Sequence, residues 1–286
     1  MLKIALTVKR DDSKAHEVAG DFVRLCQARQ IAVQLSADSV AEAPFSLEKQ
    51  VAIEVAPLTQ LAAASAVVVV IGGDGTFLQT ARHLYGSDTP LIGVNLGRLG
   101  FLTEVAPDQI TTLLDDLQAD RLSRESRAYF TATVVRDGKE VWQDTFLNDA
   151  VLQRYADEKM IAFGVAVAGQ PMVETRGDGM IVASPTGSTA YNLSTGGPIL
   201  YPSLDALVLS PICAHKLSLR PVVAPSDNVS MTLHSDVGNL SIDGRSVQKL
   251  QAGDVVAVRR SPHTLNLLHE PGRNFFDLLR QKFSWG

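Results

Sequence analysis

The sequence predicts an α/β N-terminal domain built on a parallel sheet, followed by an all-β, sandwich-like C-terminal domain. Three observations predict it. Val67-Val68-Val69-Val70-Ile71 is a β-branched run with no polar interruption, as a strand buried on both faces of a parallel sheet requires. Strand-like and helical segments alternate through residues 1–126, the pattern of a parallel α/β layer. Beyond Arg127 short alternating segments follow one another with turn signals between them, as in an all-β domain. A chain of 286 residues is long enough for two domains. The expected division is an α/β domain over 1–126, a β-rich domain over 127–268, and a terminal helix over 269–286 that packs back on the body.

Lys3 to Val8 reads as the first strand. Ala15 to Ala28 follows as an amphipathic helix, with Val18, Phe22 and Leu25 at helical spacing, and Ile31 to Leu35 as a second strand. Residues 36–57 are poorly patterned and read as loop with some local helix. Val67 to Ile71 and Leu91 to Val94 are buried strands joined by a helix. Asp108 is expected to cap a helix running to about Ala119, with Ile110, Leu113, Leu114 and Leu117 as its apolar stripe. In the second half Tyr129 to Arg136 and Lys139 to Phe146 form a hairpin about Asp137-Gly138. Shorter strands are expected at Ala150–Tyr155, Met160–Val167, Asn228–His234, Asn239–Asp243, Asp254–Arg260 and Thr264–Leu268. Asn274 to Arg280 is an amphipathic helix too apolar to stand free.

The net charge of -5 leaves no basic footprint, so nucleic acid is not an expected partner. Cys26 and Cys213 have no metal-ligand spacing and suit a reducing compartment. Cys213 reads as a small buried hydrophobe. The N-terminal apolar run is cut short by Lys9, Arg10, Asp11 and Asp12, and Leu61 to Ile71 is too short to span a bilayer. A cytoplasmic protein with no membrane partner is expected.

Two segments carry the chemistry. The first is Gly72-Gly73-Asp74-Gly75-Thr76-Phe77-Leu78, behind the β-branched run. Thr76 to Leu84 lacks Gly and Pro and suits a helix. Strand, glycine turn and helix start aim backbone N–H groups at a phosphate. Glycine also tolerates positive φ and lets a backbone approach a ligand. Gly72, Gly73, Gly75 and Thr76 are therefore candidate phosphate-binding residues. A carboxylate beside a phosphate is unfavourable, so Asp74 needs a reason: a metal, or a hydroxyl whose proton it accepts. As a loop carboxylate it is not expected to stabilise the protein itself. An Asp-Gly hairpin is the competing reading, and it would call for a second strand after the turn.

The second segment is residues 178–198, where apolar residues enter a turn of hydroxyl and glycine residues. Small residues admit a flat ligand, hydroxyls serve ribose and base edges, and Tyr191 offers an aromatic face. A flexible Gly/Ser linker is the plain alternative. Ile181, Val182, Pro185 and Leu193 interrupt that composition at intervals that suit a folded loop.

The order Gly72-Gly73-Asp74-Gly75, Asn95-Leu96-Gly97-Arg98-Leu99-Gly100-Phe101-Leu102, Leu147-Asn148-Asp149-Ala150-Val151-Leu152, Ser184-Pro185-Thr186-Gly187-Ser188-Thr189-Ala190-Tyr191 and Pro211-Ile212-Cys213-Ala214-His215 resembles the bacterial NAD kinases. The resemblance covers essentially the whole chain. The glycine turn is shared with diacylglycerol kinases and is similar to that of 6-phosphofructokinases, whereas the SPTGSTAY segment in this order is highly specific. The resemblance implies an α/β domain, a β-sandwich-like domain and an active site between them. It implies transfer of the ATP γ-phosphoryl group to the 2′-hydroxyl of the adenosine ribose of NAD, giving NADP, with Mg²⁺ or another divalent metal accompanying ATP. It also implies a homodimer or homotetramer; some members accept inorganic polyphosphate.

By resemblance Asp74 is the catalytic carboxylate, and it and Gly75 lie against the dinucleotide. Asn148 and Asp149 match the pair that holds adenine and ribose hydroxyls. Thr189, Ala190, Tyr191 and Ser194 match the adenine-side wall, and Asn192 and Leu193 between them are further NAD-binding candidates. Arg176 and Asp178 match the lining of the NAD site, and Lys159 a position often basic. The family often carries Gln two residues after a late Asp. Here Asp243-Gly244-Arg245 puts Arg there, with Gln248 downstream, so both Arg245 and Gln248 are candidate contacts. His215 lies in a family motif but reads as structural.

Residue chemistry supports this reading. An Asn amide offers adenine one donor and one acceptor, and a carboxylate suits ribose hydroxyls. Adjacent residues in a strand point to opposite faces. Asn148 and Asp149 can therefore share a ligand only where a strand ends or bulges, and a plain turn is the alternative. Other glycine-turn kinases for lipids or sugars, and a dinucleotide sensor without chemistry, are the alternative functions. The first strand lacks the G-x-G-x-x-G turn of NAD-dependent oxidoreductases.

Overall fold

The computed structural model describes residues 2–40, 53–97, 99–155 and 159–285. Arg98 of the resemblance and most of the weakly patterned stretch 36–57 thus lie outside the described residues. The chain divides into two compact units, Met1–Ser126 with Leu265–Gly286, and Arg127–Thr264.

The first unit opens with β1 (Lys3–Val8), α1 (Ser13–Ala28), β2 (Ala32–Ser36), β3 (Glu54–Ala56), α2 (Leu58–Ala63), β4 (Val67–Gly72), α3 (Asp74–His83), β5 (Leu91–Asn95) and α4 (Ile110–Gln118). The strands pair in parallel in the order β5-β4-β1-β2-β3. All six residues of β4 are buried, which is why its sequence shows no polar alternation. Helix α1 starts where Asp12 Oδ1 accepts from the Ala15 N–H at 3.1 Å, a side-chain cap for an orphan donor. Its Ala15, Ala19, Phe22, Val23 and Cys26 join Ile4, Leu6, Val69 and Val94 in the core. At α4 the cap differs from the expected one. Asp108 sits inside a 3-10 turn, Pro107–Gln109, and Gln109 Oε1 accepts the Ala106 N–H at 2.8 Å. The edge strand β3 and helix α2 were not expected; both are too short for their period to show in sequence.

The second unit contains β6 (Ser123–Arg136), β7 (Lys139–Phe146), β8 (Asp149–Gln153), β9 (Ile161–Val167), β10 (Gln170–Gly177), β11 (Gly179–Ala183), α5 (Tyr191–Ser194), β12 (Ala206–Ile212), β13 (Val222–Pro225), β14 (Val229–Leu233), β15 (Val237–Ile242), β16 (Arg245–Gln251) and most of β17 (Val255–His269). One sheet runs β10-β9-β14-β17, with β6 beside β17 and β7 beside β6. The other runs β13-β12-β11-β8-β15-β16 and is antiparallel throughout. Their facing sides supply one core, including Phe130, Phe146, Leu152, Phe163, Met180 and Val256. Phe130 and Phe146 stack with ring centroids 5.7 Å apart. The Arg136 guanidinium grips the buried Asp254 carboxylate through Nε and a terminal nitrogen at 2.8 and 2.7 Å. The two expected strands at 254–260 and 264–268 are one continuous strand, β17. Cys213 is exposed, not buried, and has φ 45° at the end of β12.

The six-stranded sheet positions the ligand-type residues by alternation. Ala150 and Leu152 of β8 face the sandwich core. Val151 faces the other way, in a second cluster with Ile181, Ala183, Leu200 and Val208. Asp149 and Gln153 share the Val151 side.

From Leu265 the chain counts with the first unit, whereas the sequence places that boundary at 268/269. Leu267 of β17 pairs in parallel with Leu91 of β5. Helix α6 (Phe275–Phe283) follows, its first turn capped by Asn274 Oδ1 accepting from the Phe276 N–H at 2.9 Å.

Candidate active site

In the first unit β4 ends at Gly72, Gly73 is the cap of α3, and Asp74 opens the helix. None of Gly72, Gly73 and Gly75 has positive φ. The turn needs glycine for space instead. A Cβ on Gly72 would lie 2.7 Å from Thr76 Oγ1, whereas Gly73 and Gly75 face open space. Backbone N–H groups at the start of α3 are therefore accessible to an anion, where the helix dipole also favours one.

Asp74 is not a free loop carboxylate. Its Oδ1 accepts from the Leu102 and Thr103 N–H groups at 3.1 Å each and from Thr103 Oγ1 at 3.0 Å. Its Oδ2 accepts from the Phe101 N–H at 2.9 Å. A carboxylate has about four lone-pair sites, so Oδ1 is saturated and Oδ2 keeps one direction open. The segment also sits too close for any side chain at Gly100: a Cβ there would lie 2.2 Å from Asp74 Oδ1. These bonds give Asp74 a structural reason besides a metal or a hydroxyl, and they argue against the expectation that the side chain does not stabilise the protein.

The strand order 3-2-1-4-5 places a topological switch point between β1 and β4, the place where open α/β sheets bind ligands beyond their carboxyl ends. A cavity of about 540 Å³ lies there. Thr7, Lys9 and Arg10 at the end of β1 line it, with Gly75 and Thr76 from the start of α3. Sequence reasoning missed Lys9 and Arg10 as site residues, because their only visible signal was the end of an apolar run.

In the second unit a cavity of about 440 Å³ is lined by Asn148, Asp149, Gln153, Ala190, Tyr191, Ser241 and Asp243, among others. Strand β8 begins at Asp149, so Asn148 escapes strand alternation and reaches the same cavity as its neighbour. Asp149 is 4 % exposed. Burial, and then the charge of Asp243, push its carboxyl up to about 7. Asp243 occupies the turn between β15 and β16 with φ 47°, and its carboxylate accepts from the N–H groups of Leu147, Asn148 and Asp149. Burial raises Asp243 too, opposed by those three N–H donors and Arg245. Asp243 was not among the expected site residues; in the sequence it marks a strand end and the late Asp from which the family Gln is counted.

The remaining candidates divide. Ala190 and Tyr191 line this cavity, and Tyr191 is 42 % exposed. Thr189 turns inward to its own 3-10 turn, donating from Oγ1 to the Thr186 carbonyl at 3.3 Å. Asn192 is fully buried and structural. Its amide donates to the Ser188 and Pro198 carbonyls and its Oδ1 accepts from Ser210 Oγ at 2.6 Å. Leu193 is half-buried and Ser194 exposed on α5. Neither Arg245 nor Gln248 lines the cavity. Arg245 reaches Asp144 at 3.5 Å, and Gln248 Nε2 donates to the Lys249 carbonyl. Ser246 pairs with Ser241 beside a register shift, and its Oγ donates to Asn239 Oδ1 at 2.6 Å. Arg176 lies with His215, Lys216 and His234 in a separate cavity of about 370 Å³. Asp178 pairs with Arg154 Nε at 2.8 Å, and Lys159 is exposed.

Among the described residues there is no group of three or more His, Cys, Asp or Glu side chains able to hold a metal ion. No helix among them is long and apolar enough to cross a membrane.

Comparison with known proteins gives one consistent result. Residues 4–122 match the family model of the ATP-NAD kinase N-terminal domain, and residues 147–270 that of the ATP-NAD kinase C-terminal domain. The chain is 37 % identical over 288 aligned positions to an NAD kinase of Magnetococcus marinus, covering 100 % of this chain and 94 % of the relative. It is 43 % identical over 232 positions to an NAD kinase of Ralstonia nicotianae, covering 80 % and 76 %. Its fold is similar to a yeast NADH kinase solved with NADH, with TM-score 0.87, 20 % identity and coverage of 100 % and 88 %. It is also similar to an Archaeoglobus fulgidus NAD kinase solved with ATP, with TM-score 0.77, 22 % identity and full coverage of both chains.

Proposed function

The chain belongs to the ATP-NAD kinase family, and from that membership we propose that it transfers the γ-phosphoryl group of ATP to the 2′-hydroxyl of the adenosine ribose of NAD, giving NADP and ADP. The observation that carries the mechanism is the carboxylate of Asp74, held by four donors yet open on Oδ2, at the start of a helix beside accessible glycine N–H groups. The hydroxyl hydrogen-bonds to Oδ2 and is aimed at the γ-phosphorus. The bond from the 2′-oxygen to phosphorus forms as the bond from phosphorus to the β,γ-bridging oxygen breaks. The hydroxyl proton passes late to Asp74, because a carboxylate is a weak base toward an unreacted alcohol. Phosphoryl transfer depends mainly on positioning and charge neutralisation, and Lys9, Arg10, Thr76 and the N–H groups after Gly73 suit the phosphates.

Magnesium is best read as part of the substrate, Mg·ATP. Mg²⁺ keeps several waters and is commonly bound through phosphates with few protein ligands, which agrees with the lack of a ligand cluster among the described residues.

For the dinucleotide, Asn148 suits the adenine edge, Asp149 the ribose hydroxyls, and Ala190 and Tyr191 a flat face. Arg176, with Lys216 and His215 nearby, presents charge suited to a ligand phosphate. Lys159, Asp178, Thr189 and Ser194 remain family-matched neighbours of that site. A homodimer or homotetramer fits the exposed apolar side chains Leu204, Leu217 and Val223, and light scattering in solution tests it.

The deciding experiment incubates the protein with Mg·ATP and NAD and assays NADP. An NAD analogue lacking the adenosine 2′-hydroxyl should bind and give no product. Turnover of that analogue at a rate near that of NAD would overturn the assignment.

A further inference from the structure

The donors that hold Asp74 are backbone N–H groups of residues 101–103 plus one hydroxyl. They aim the carboxylate only if that segment is itself fixed. Its inner side is fixed by packing. Thr103 is fully buried and lies so close to Gly93 that a Cβ there would fall 2.6 Å from its methyl group. Asn95 Nδ2 donates to the Thr103 carbonyl at 3.0 Å.

The outer side is fixed by charge. Glu104 follows directly, with its side chain 9 % exposed. Its Oε1 meets His269 Nδ1 at 2.7 Å, and its Oε2 meets Arg273 Nε. The other ring nitrogen of His269 lies 2.9 Å from Glu125 Oε2. Arg273 Nη1 also lies against the imidazole, and Nη2 donates to the Phe101 carbonyl at 3.4 Å. Farther along, Lys282 of α6 donates to the Leu99 carbonyl and sits 5.4 Å from the centroid of the Phe101 ring. The end of β17, the turn before α6 and the last turn of α6 thus grip both ends of the segment that presents its N–H groups to Asp74. An ion cluster this enclosed costs desolvation and is weak evidence for stability. Nothing in it lies among the cavity residues at the glycine turn.

We propose that Glu104, clamped by His269 and Arg273, is a positioning residue for phosphoryl transfer: it locks residues 101–103 so that their N–H groups hold Asp74 in line with the acceptor hydroxyl. This rests on the reading of Asp74 as the carboxylate that takes the hydroxyl proton. A 1 Å misplacement of a reacting group can cost about a hundredfold in rate, so the signature is a loss in kcat with substrate binding spared.

The test compares Glu104→Gln, Asp74→Asn and the double variant by NADP formation, with thermal melting to check folding. Glu104→Gln is expected to lower kcat about tenfold to a hundredfold, with KM for ATP and for NAD changed less than about threefold. Because Glu104 acts through Asp74, the double variant should be no slower than Asp74→Asn alone. Glu104→Asp should recover part of the loss. If Glu104→Gln does not fold, Arg273→Lys is read by the same criteria, since lysine keeps the charge but not the fork that reaches both Glu104 and Phe101. A folded variant within twofold of wild-type kcat, a loss confined to KM, or multiplicative losses in the double variant would each overturn the proposal. An Asp74→Asn protein that keeps wild-type kcat would instead remove the reading of Asp74, and that single variant shows it independently of Glu104.

Discussion

Asp74 is held by four hydrogen bonds and is proposed to take the hydroxyl proton, and substitution should reveal both roles. Asparagine is nearly the same shape, but its NH₂ group is a donor and would face the Phe101 N–H or the cluster of donors at Oδ1. General-base loss costs about 10²–10⁴ in rate, and misalignment adds to it. Asp74→Asn should therefore lower kcat at least about a thousandfold with NAD affinity changed far less. It should also destabilise the fold, by about 1.5–3 kcal/mol for charge-assisted hydrogen bonds, measurable by urea unfolding. A variant as stable as wild type would show that the four bonds contribute nothing. Asp149 is the second residue to test. Asp149→Ala should raise KM for NAD more than it lowers kcat, with kcat/KM down about tenfold to a hundredfold; an unchanged kcat/KM would leave it a turn residue. Its carboxyl is pushed up to about 7 by burial and Asp243, so it ionises near neutrality. KM for NAD should fall as pH rises through about 7, and Asp149→Asn should flatten that profile. The reason for Asp74 was only half legible, because the partners that hold it stand 27 to 29 positions away in sequence. The Asp149–Asp243 pair was half legible for a similar reason: Asp149 reads as a ribose contact, whereas Asp243, 94 positions away, marks only a strand end and the point from which the family Gln is counted.

At the scale of elements, close approach decides what the turns tolerate. Gly100 has no room for a Cβ, which would meet Asp74 Oδ1 at 2.2 Å. Gly100→Ala should therefore displace Asp74 and lower kcat about a hundredfold by the same misplacement argument, with NAD binding by calorimetry nearly preserved. Full activity in Gly100→Ala would show that the segment yields without moving the carboxylate. Helix α6 begins at the Asn274 cap, and Asn274→Ala should cost about 1 kcal/mol in unfolding free energy. The long elements were legible because their periods are long: the apolar run of β4, the stripe of α1, the hairpin of β6 and β7. β10, β12, β13 and β16 were not expected as strands. β13 and β16 have exposed and half-buried positions out of clean alternation, and β12 is buried nearly throughout, so neither kind shows a period of two.

For the molecule as a whole, the buried ionisable groups tie stability to pH in a direction that can be worked out. The folded-state pKa of Asp149 is raised from 3.8 to about 7. The fold thus prefers the neutral acid, and its contribution is full below about 3.8 and lost as pH rises through about 7. His269 is pulled down by burial but raised overall by Glu104 and then Glu125, against the like charge of Arg273. Its contribution is present below its ordinary value and lost as pH rises through the raised one. Both groups make the protein less stable on the alkaline side, and Asp149→Asn should gain stability above pH 7 while losing function, on the order of a few kcal/mol. A stability profile unchanged by that substitution would contradict the burial of its charge. The sequence by itself determined the two-part architecture, the glycine turn and its carboxylate, and the family, because each of these is written in contiguous residues whose spacing reflects backbone geometry. Only the tertiary structure decided that Lys9 and Arg10 meet that turn at the switch point, that Asn192 is buried while Tyr191 is exposed, and that Glu104, His269 and Arg273 enclose one another. Those depend on strand order and on contacts between residues far apart in sequence, which no local spacing records.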